Sequence, residues 1–267
     1  MSDASSAPTR PVAEAVPAST IVLMRDSARG PEVLMVVRHH QIDFASGALV
    51  FPGGKIDPQD MAPAVLAHVD GTHGPDIALR VGAIREAYEE SGILLANTAD
   101  GHVAGAALLA SLEAQRKQVH EGSLPFERLL SETNLRLRCD ELVHFAHWIT
   151  PTMMPKRFDT HFYIARVPPD QIAAHDGRES VDAVWVTPAD AIADAKTGKR
   201  TIIFPTLRNL EKLLPFASVH DAIEQTRASN IVPVLPWTEQ RADGRYLCIP
   251  PEAGYAVSEE LMPAAPR

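Results

Sequence analysis

The chain has 267 residues, 45% of them hydrophobic and 22% charged, a balance that allows a buried core of ordinary size. A formal net charge of −9 excludes the broadly basic surface of a non-specific nucleic-acid binder, while leaving room for a local basic pocket. The two cysteines, Cys139 and Cys248, are too far apart for a metal-ligand spacing or a disulfide framework. No apolar run reaches the roughly 18 residues of a membrane helix, so the expected compartment is the cytoplasm.

In chain order, residues 1–19 are rich in Ala, Pro and Ser and lack the apolar segment of a secretory signal, which predicts a disordered leader. Apolar, β-branched runs over 20–24 and 33–38 predict a hairpin, followed by a loop over 39–47 and a short strand over 48–51. Pro52-Gly53-Gly54 is expected to stop that strand, because proline removes a ladder donor and glycine weakens it. Residues 61–76 read as a loop with at most one helical turn. A helix then starts near Pro75 and Asp76, carries Ile77, Val81, Ile84 and Tyr88 on one stripe, and ends at Gly92.

Further helices are expected over 104–118, 126–132, 187–197, 206–214 and 219–228. Strands are expected over 141–149, 161–167 and 181–186, with an extended stretch at 231–235. Strands interleaved with helices predict an α/β (α+β) sandwich. We expect one domain over 20–250 and a tail over 251–267.

The segment with chemical content is Arg85-Glu86-Ala87-Tyr88-Glu89-Glu90-Ser91-Gly92-Ile93. On a helix Glu86, Glu89 and Glu90 share one face, and each like-charge pair costs about 0.2–0.5 kcal/mol without a counter-charge. A hard divalent cation reverses that cost, since Mg2+ and Mn2+ prefer carboxylate and phosphate oxygens. Most acidic helix faces are simply solvated. Here the helix follows a strand ending in Pro-Gly-Gly, where backbone can approach a ligand closely. Gly82, one turn before Glu86, is expected to leave room for a metal-bound pyrophosphate, with simple helix packing as the alternative.

These residues resemble the Nudix box, Gly-x5-Glu-x7-Arg-Glu-U-x-Glu-Glu-x-Gly-U, with U a bulky apolar residue. Gly54, Arg85, Glu86, Glu89, Glu90, Gly92 and Ile93 match it. Asp60 stands at the first glutamate, Ala87 at a larger apolar residue, and 24 residues separate Asp60 from Arg85 where seven are usual, an insertion of 17. The insertion is similar to that of the peroxisomal-type coenzyme A diphosphatases. So are Trp148-Ile149-Thr150-Pro151, Arg157-Phe158-Asp159-Thr160, Trp185-Val186-Thr187-Pro188 and Phe204-Pro205-Thr206-Leu207. The chain closes on Ala-Ala-Pro-Arg, so a Ser-Lys-Leu-type peroxisomal address is not expected to carry over.

The resemblance implies a Nudix-like α/β/α sandwich with a mixed sheet and additional C-terminal helices. It implies Glu86 and Glu90 as the main ligands of Mg2+ or Mn2+, with Glu89 as a ligand or as the base that orients water. A carbonyl of Gly53 or Gly54 would complete the metal's coordination, and Arg85 would orient the carboxylates, paired with Asp60 or another of them. Lys55, Lys156, Arg157 and Gly53 are candidate substrate contacts. Glu179 is the candidate late carboxylate, with Asp182 in reserve. His39, His40, His68 and His73 read as loop residues, and Phe158, Tyr163 and Trp185 as core or strand residues.

The implied activity is hydrolysis of a diphosphate linkage in a nucleoside diphosphate derivative. Coenzyme A or acyl-CoA leads, giving phosphopantetheine and adenosine 3′,5′-bisphosphate. The Leu-Leu-Thr-x-Arg motif of another coenzyme A-cleaving branch is absent. ADP-ribose, NADH, dinucleoside polyphosphates and, least of all for an acidic chain, capped RNA stay open, as does a non-catalytic nucleotide sensor on the same fold. The expected partner is a small-molecule nucleotide, with neither nucleic acid nor membrane; homo-oligomerisation stays open.

Overall fold

The structure is a computed structural model that describes residues 12–38, 47–71, 73–174 and 180–262; His39, His40 and Glu179 lie outside these residues. β1 (Ala15–Ser27) and β2 (Gly30–Arg38) form the expected hairpin, followed by β3 (Leu49–Val50) and β4 (Gly53–Lys55). A 3-10 turn (Pro58–Met61) and the single turn α1 (Pro63–Leu66) lead to the long helix α2 (Ile77–Ser91). Then come β5 (Ala96–Asn97), α3 (Ala106–Ser111), α4 (Glu113–His120), α5 (Phe126–Thr133) and β6 (Arg136–Leu137). The chain continues through β7 (Val143–Ile149), β8 (Arg157–Arg166), β9 (Ser180–Val186), α6 (Pro188–Lys196), α7 (Phe204–Leu213) and α8 (Val219–Arg227). Last are β10 (Pro233–Val234), β11 (Trp237–Arg241), β12 (Gly244–Cys248) and β13 (Glu259–Leu261).

The central sheet is mixed, in the order β10-β7-β8-β1-β2-β3, with β4 added to β1 and β9 to β2. Alternation along each strand divides the core in two. Ile21, Leu23, Leu34, Tyr163 and Ala165 face Val81, Ile84, Ala87 and Tyr88 of α2. Val22, Met24, Val33, Met35, Phe162 and Ile164 face Ala191 and Ile192 of α6, Leu210 and Leu213 of α7, and Val219 and Ala222 of α8. The result is the expected three-layer α/β/α arrangement. Each large side chain buried this way stabilises the fold by about 1.5–3 kcal/mol.

Several boundaries differ from the sequence reading. β1 begins at Ala15, so the end of the expected leader is strand, and Ala18 and Ser19 are buried. Pro52-Gly53-Gly54 does not stop the sheet. Gly53–Lys55 hydrogen-bonds to the first half of β1, with Gly54 opposite Ser19, because the residues that β1 offers there are left free by β2. The helix expected over 104–118 is broken at Leu112 into α3 and α4. The expected tail is partly built: β13 pairs with β12, and the Tyr255 hydroxyl accepts from Trp148 Nε1 at 2.8 Å while donating to Asn209 Oδ1 at 2.8 Å. Both cysteines are buried and free. Among the described residues no helix is long and apolar enough to cross a membrane.

Candidate active site

α2 runs from Asp76, whose carboxylate accepts from Arg80 Nε at 2.8 Å and from the Tyr163 hydroxyl at 3.1 Å, to Gly92. Gly92 takes a left-handed φ of 74° and lies against Arg116, where a Cβ would sit 2.9 Å from Nη1. The apolar stripe holds α2 on the sheet, and its acidic residues meet β4 at the sheet's edge.

Gly53 N–H donates to Glu90 Oε2 at 3.1 Å, and Glu90 is only 3% exposed. A Cβ on Gly54 would lie 2.5 Å from the Glu86 carboxylate, and one on Gly53 would lie 2.4 Å from the Ser19 carbonyl oxygen. Both glycines are therefore required by close approach to the chain's own Glu86 and Ser19, where the sequence reading expected approach to a ligand.

Arg85 ties the cluster together. Its Nε and Nη2 donate to Asp60 Oδ1 and Oδ2 at 2.8 and 3.0 Å, its Nη1 to Glu86 Oε1 at 2.9 Å and Glu89 Oε1 at 3.0 Å, and its Nη2 to the Lys55 carbonyl at 3.0 Å. Asp60 reaches it from the far side of the insertion because the 3-10 turn is closed by a capping box, Asp57 N–H donating to Asp60 Oδ2 at 2.9 Å. Burial opposes the charge on Arg85, but the hydrogen bond to Asp60 and the charges of Glu86, Asp60 and Glu89 outweigh it and raise its pKa. Burial raises the Glu89 carboxyl, against the charge and hydrogen bond of Arg85. His120 Nδ1 lies 3.7 Å from Glu89 Oε2.

Three carboxylates thus contact one guanidinium and a fourth, Glu90, accepts from the Gly53 N–H, leaving a surplus of negative charge beside a glycine turn. The donors are all hard oxygens, and the three on α2 are 13% exposed or less. This donor set fits a hard divalent cation of the Mg2+ or Mn2+ kind.

The other sequence candidates divide. Gly82 does not make room for a ligand: a Cβ there would meet Ile56 Cδ1 at 2.7 Å, Asp60 Oδ2 at 3.0 Å and Ser19 Oγ at 3.3 Å, so the glycine serves packing. Arg157 cannot grip a substrate phosphate, because it is buried and donates to the carbonyls of Thr150 at 2.9 Å and Ala13 at 2.7 Å. Lys156 is exposed, with Nζ 5.7 Å from the Phe158 ring. Lys55 is exposed beside the cluster. Asp182, half-exposed, lies 3.6 Å from Arg200 and sits opposite Val37 on β2. Tyr163 is buried, and Trp185 lies under the Arg25 guanidinium, as expected of core and strand residues. His68 donates from Nδ1 to the Leu135 carbonyl at 3.1 Å.

A second polar group escaped the sequence reading. His144, His147, Asp159 and His161 come together on β7 and β8, on the α2 side of the sheet. His147 Nε2 lies 2.5 Å from Asp159 Oδ1, and burial lowers the His144 pKa to about 4. Period two places Asp159, His161 and Tyr163 on one face of β8, but only the pairing of β7 with β8 adds His144 and His147.

The family model described as the NUDT19 Nudix domain matches residues 67–213, more than half of the chain. The acyl-coenzyme A diphosphatase NUDT19 of Xenopus laevis is 26% identical over 71% of this chain and 61% of its own length. That of Homo sapiens is 26% identical over 73% of this chain and 63% of its own length, so the chain spans under two thirds of these relatives. The crystal structure of a NUDIX hydrolase from Alicyclobacillus acidocaldarius is 27% identical, with a TM-score of 0.70, over 79% of this chain and 96% of that one. A fold of three layers, a box helix docked on a glycine turn and a matching family model converge: the chain belongs to the NUDT19 Nudix-domain family of Nudix hydrolases.

Proposed function

We propose that this chain hydrolyses the diphosphate linkage of coenzyme A or an acyl-CoA, releasing the phosphopantetheine half and adenosine 3′,5′-bisphosphate. The observation that carries the reading is the convergence of Glu86, Glu89 and Asp60 on Arg85 beside the Gly53–Gly54 turn, whose Gly53 N–H holds Glu90. The coenzyme A preference is supported by the names of the relatives from Xenopus laevis and Homo sapiens.

Glu86, Glu90 and Glu89 would hold Mg2+ or Mn2+, with a carbonyl of Gly53 or Gly54 as a further ligand. Such an ion, when bound, would supply charge stabilisation at the phosphoryl oxygens and lower the pKa of a water. Arg85 keeps the carboxylates in one orientation by donating to three of them, which is a positioning role. Glu89, with its raised pKa and its neighbour His120, suits the role of proton acceptor from water. The Gly53 N–H holds Glu90 against rotation. Lys55 and Lys156 are exposed cations that suit substrate phosphates. Residues 20–250 act as one domain in this reading, in the cytoplasm.

The test is a product assay. The chain is incubated with Mg2+ or Mn2+ and a panel of coenzyme A, acyl-CoA, ADP-ribose, NADH, dinucleoside polyphosphates and capped RNA in ¹⁸O water, with products weighed by mass spectrometry. Cleavage of coenzyme A or acyl-CoA to adenosine 3′,5′-bisphosphate is the expected result. Cleavage of ADP-ribose or NADH alone would overturn the substrate, and no cleavage of any compound would overturn the activity.

A further inference from the structure

The central sheet carries a second constellation on the same face as the box. Paired positions run straight across it: Gly54 of β4 lies opposite Ser19 of β1, Ser19 beside His161 of β8, and His161 opposite His147 of β7. Residues paired in this way project from one face, and neighbouring strands are about 4.8 Å apart. His161 therefore sits about 10 Å from Gly54, two strands along the face that α2 covers.

His147, Asp159 and His161 each offer one ligand atom, and these atoms lie within 4.8 Å of one another. His147 Nε2 is 2.5 Å from Asp159 Oδ1, and His161 Nε2 is 4.0 Å from the same oxygen. The other nitrogen of His161 is engaged: Nδ1 lies 3.1 Å from His144 Nε2. A proton on His161 Nδ1, donated to His144, leaves the Nε2 lone pair aimed at the Asp159 side. Metal-binding histidines are oriented in this way by a partner on the far nitrogen. The two ligand rings are stacked, with centroids 3.9 Å apart at 22°, so both are already held on the same side of the sheet. All three side chains are partly accessible, at 15%, 38% and 21%, so an ion can enter.

We propose that His147, Asp159 and His161 bind one first-row transition cation of the Zn2+ or Co2+ kind, at a site separate from the α2 carboxylates. Two imidazoles and one carboxylate select such an ion over Mg2+, which prefers oxygen donors throughout. Three protein ligands leave a coordination position open on the face shared with the box. His144 is the positioning residue, acting through His161. The inference stands independently of the proposed hydrolysis.

The test uses the full chain stripped of metal with a chelator and titrated with Co2+, followed by its visible d–d absorption. Nitrogen-ligated Co2+ of low coordination number absorbs far more strongly than the oxygen-ligated octahedral ion. One equivalent giving strong bands in the wild type is expected, displaced by Zn2+. The bands should persist in Glu86→Gln/Glu90→Gln and vanish in His147→Asn and His161→Asn. His144→Ala should weaken Co2+ binding by about 10–100-fold. Absence of strong bands in the folded wild type would overturn the proposal whatever the variants do. So would bands lost in Glu86→Gln/Glu90→Gln but kept in His147→Asn, which would place the ion on α2. Failure of the product assay would leave this readout unaffected.

Discussion

Arg85 and Asp60, separated by 24 intervening residues, are joined by two parallel hydrogen bonds of 2.8 and 3.0 Å, with the Asp60 side chain 2% exposed and that of Arg85 12%. The pair closes the insertion onto α2. Asp60→Ala would leave a buried guanidinium donating to Glu86, Glu89 and the Lys55 carbonyl. We expect about 3–5 kcal/mol lower stability by denaturant unfolding, together with weaker metal binding. Unchanged stability would mean that the pair is not formed in solution.

Glu86→Gln and Glu90→Gln remove charge at nearly constant shape. Each should lower kcat by about 100-fold or more while leaving the thermal midpoint within a few degrees of the wild type. Near-normal turnover in both would remove the assignment of the metal ligands.

Gly54 and Gly82 separate chemistry from packing. Gly54→Ala places a methyl 2.5 Å from the Glu86 carboxylate, which must move by an ångström or so. We expect about a 100-fold loss of turnover. Gly82→Ala drives a methyl against Ile56, Asp60 and Ser19 and should cost about 1–3 kcal/mol of stability. The assay is the pair of ratios, activity and unfolding free energy, measured on both variants.

Asp26 links three elements: Oδ1 accepts from Val219 N–H at the start of α8 at 2.8 Å, and Oδ2 from Arg166 of β8 at 2.9 Å. Burial opposes ionisation, but the backbone bond from Val219 and the Arg166 contact win, holding its carboxyl below the ordinary 3.8. A depressed folded-state pKa means that the contribution is complete above 3.8 and is lost as pH falls through the lower folded value. Asp26→Asn should therefore be less stable than wild type at pH 6, and the two melting curves should converge in the acid range below 3.8. Equal stability at pH 6 would contradict this.

Tyr255→Phe removes the hydroxyl that accepts from Trp148 and donates to Asn209. Trp148 is 4% exposed, so its N–H loses its partner out of water, and we expect a loss of about 1–3 kcal/mol in urea unfolding.

The helix α2 was legible because its apolar period, its end at Gly92 and its acidic face are all local signals. The Pro-Gly-Gly turn was legible as a break with room for close approach, but neither as a strand nor as the seat of the Glu86 and Ser19 contacts. Pairing with Ser19 is a property of β1, and no local rule reports it. Gly82 was misread for a related reason: a missing side chain looks like space until Ile56 and Asp60 arrive from 22 or more residues away. Arg157 was misread because an arginine at a strand entrance gives no sign of which carbonyls it will find. The histidines of β7 and β8 were passed over singly, since only the antiparallel pairing of two distant strands makes them neighbours.

The insertion is held at its start and in its middle. Asp60 is held by Arg85, while Leu137 N–H donates to the His68 carbonyl at 2.6 Å and Arg136 contacts Asp70 and the Val69 carbonyl. These contacts tie it between the box and the α5–β6 corner. Loosening that corner with denaturant or a substitution at Arg136 would thus slacken the far end of the carboxylate cluster, coupling the ordering of a remote surface to the affinity for cations.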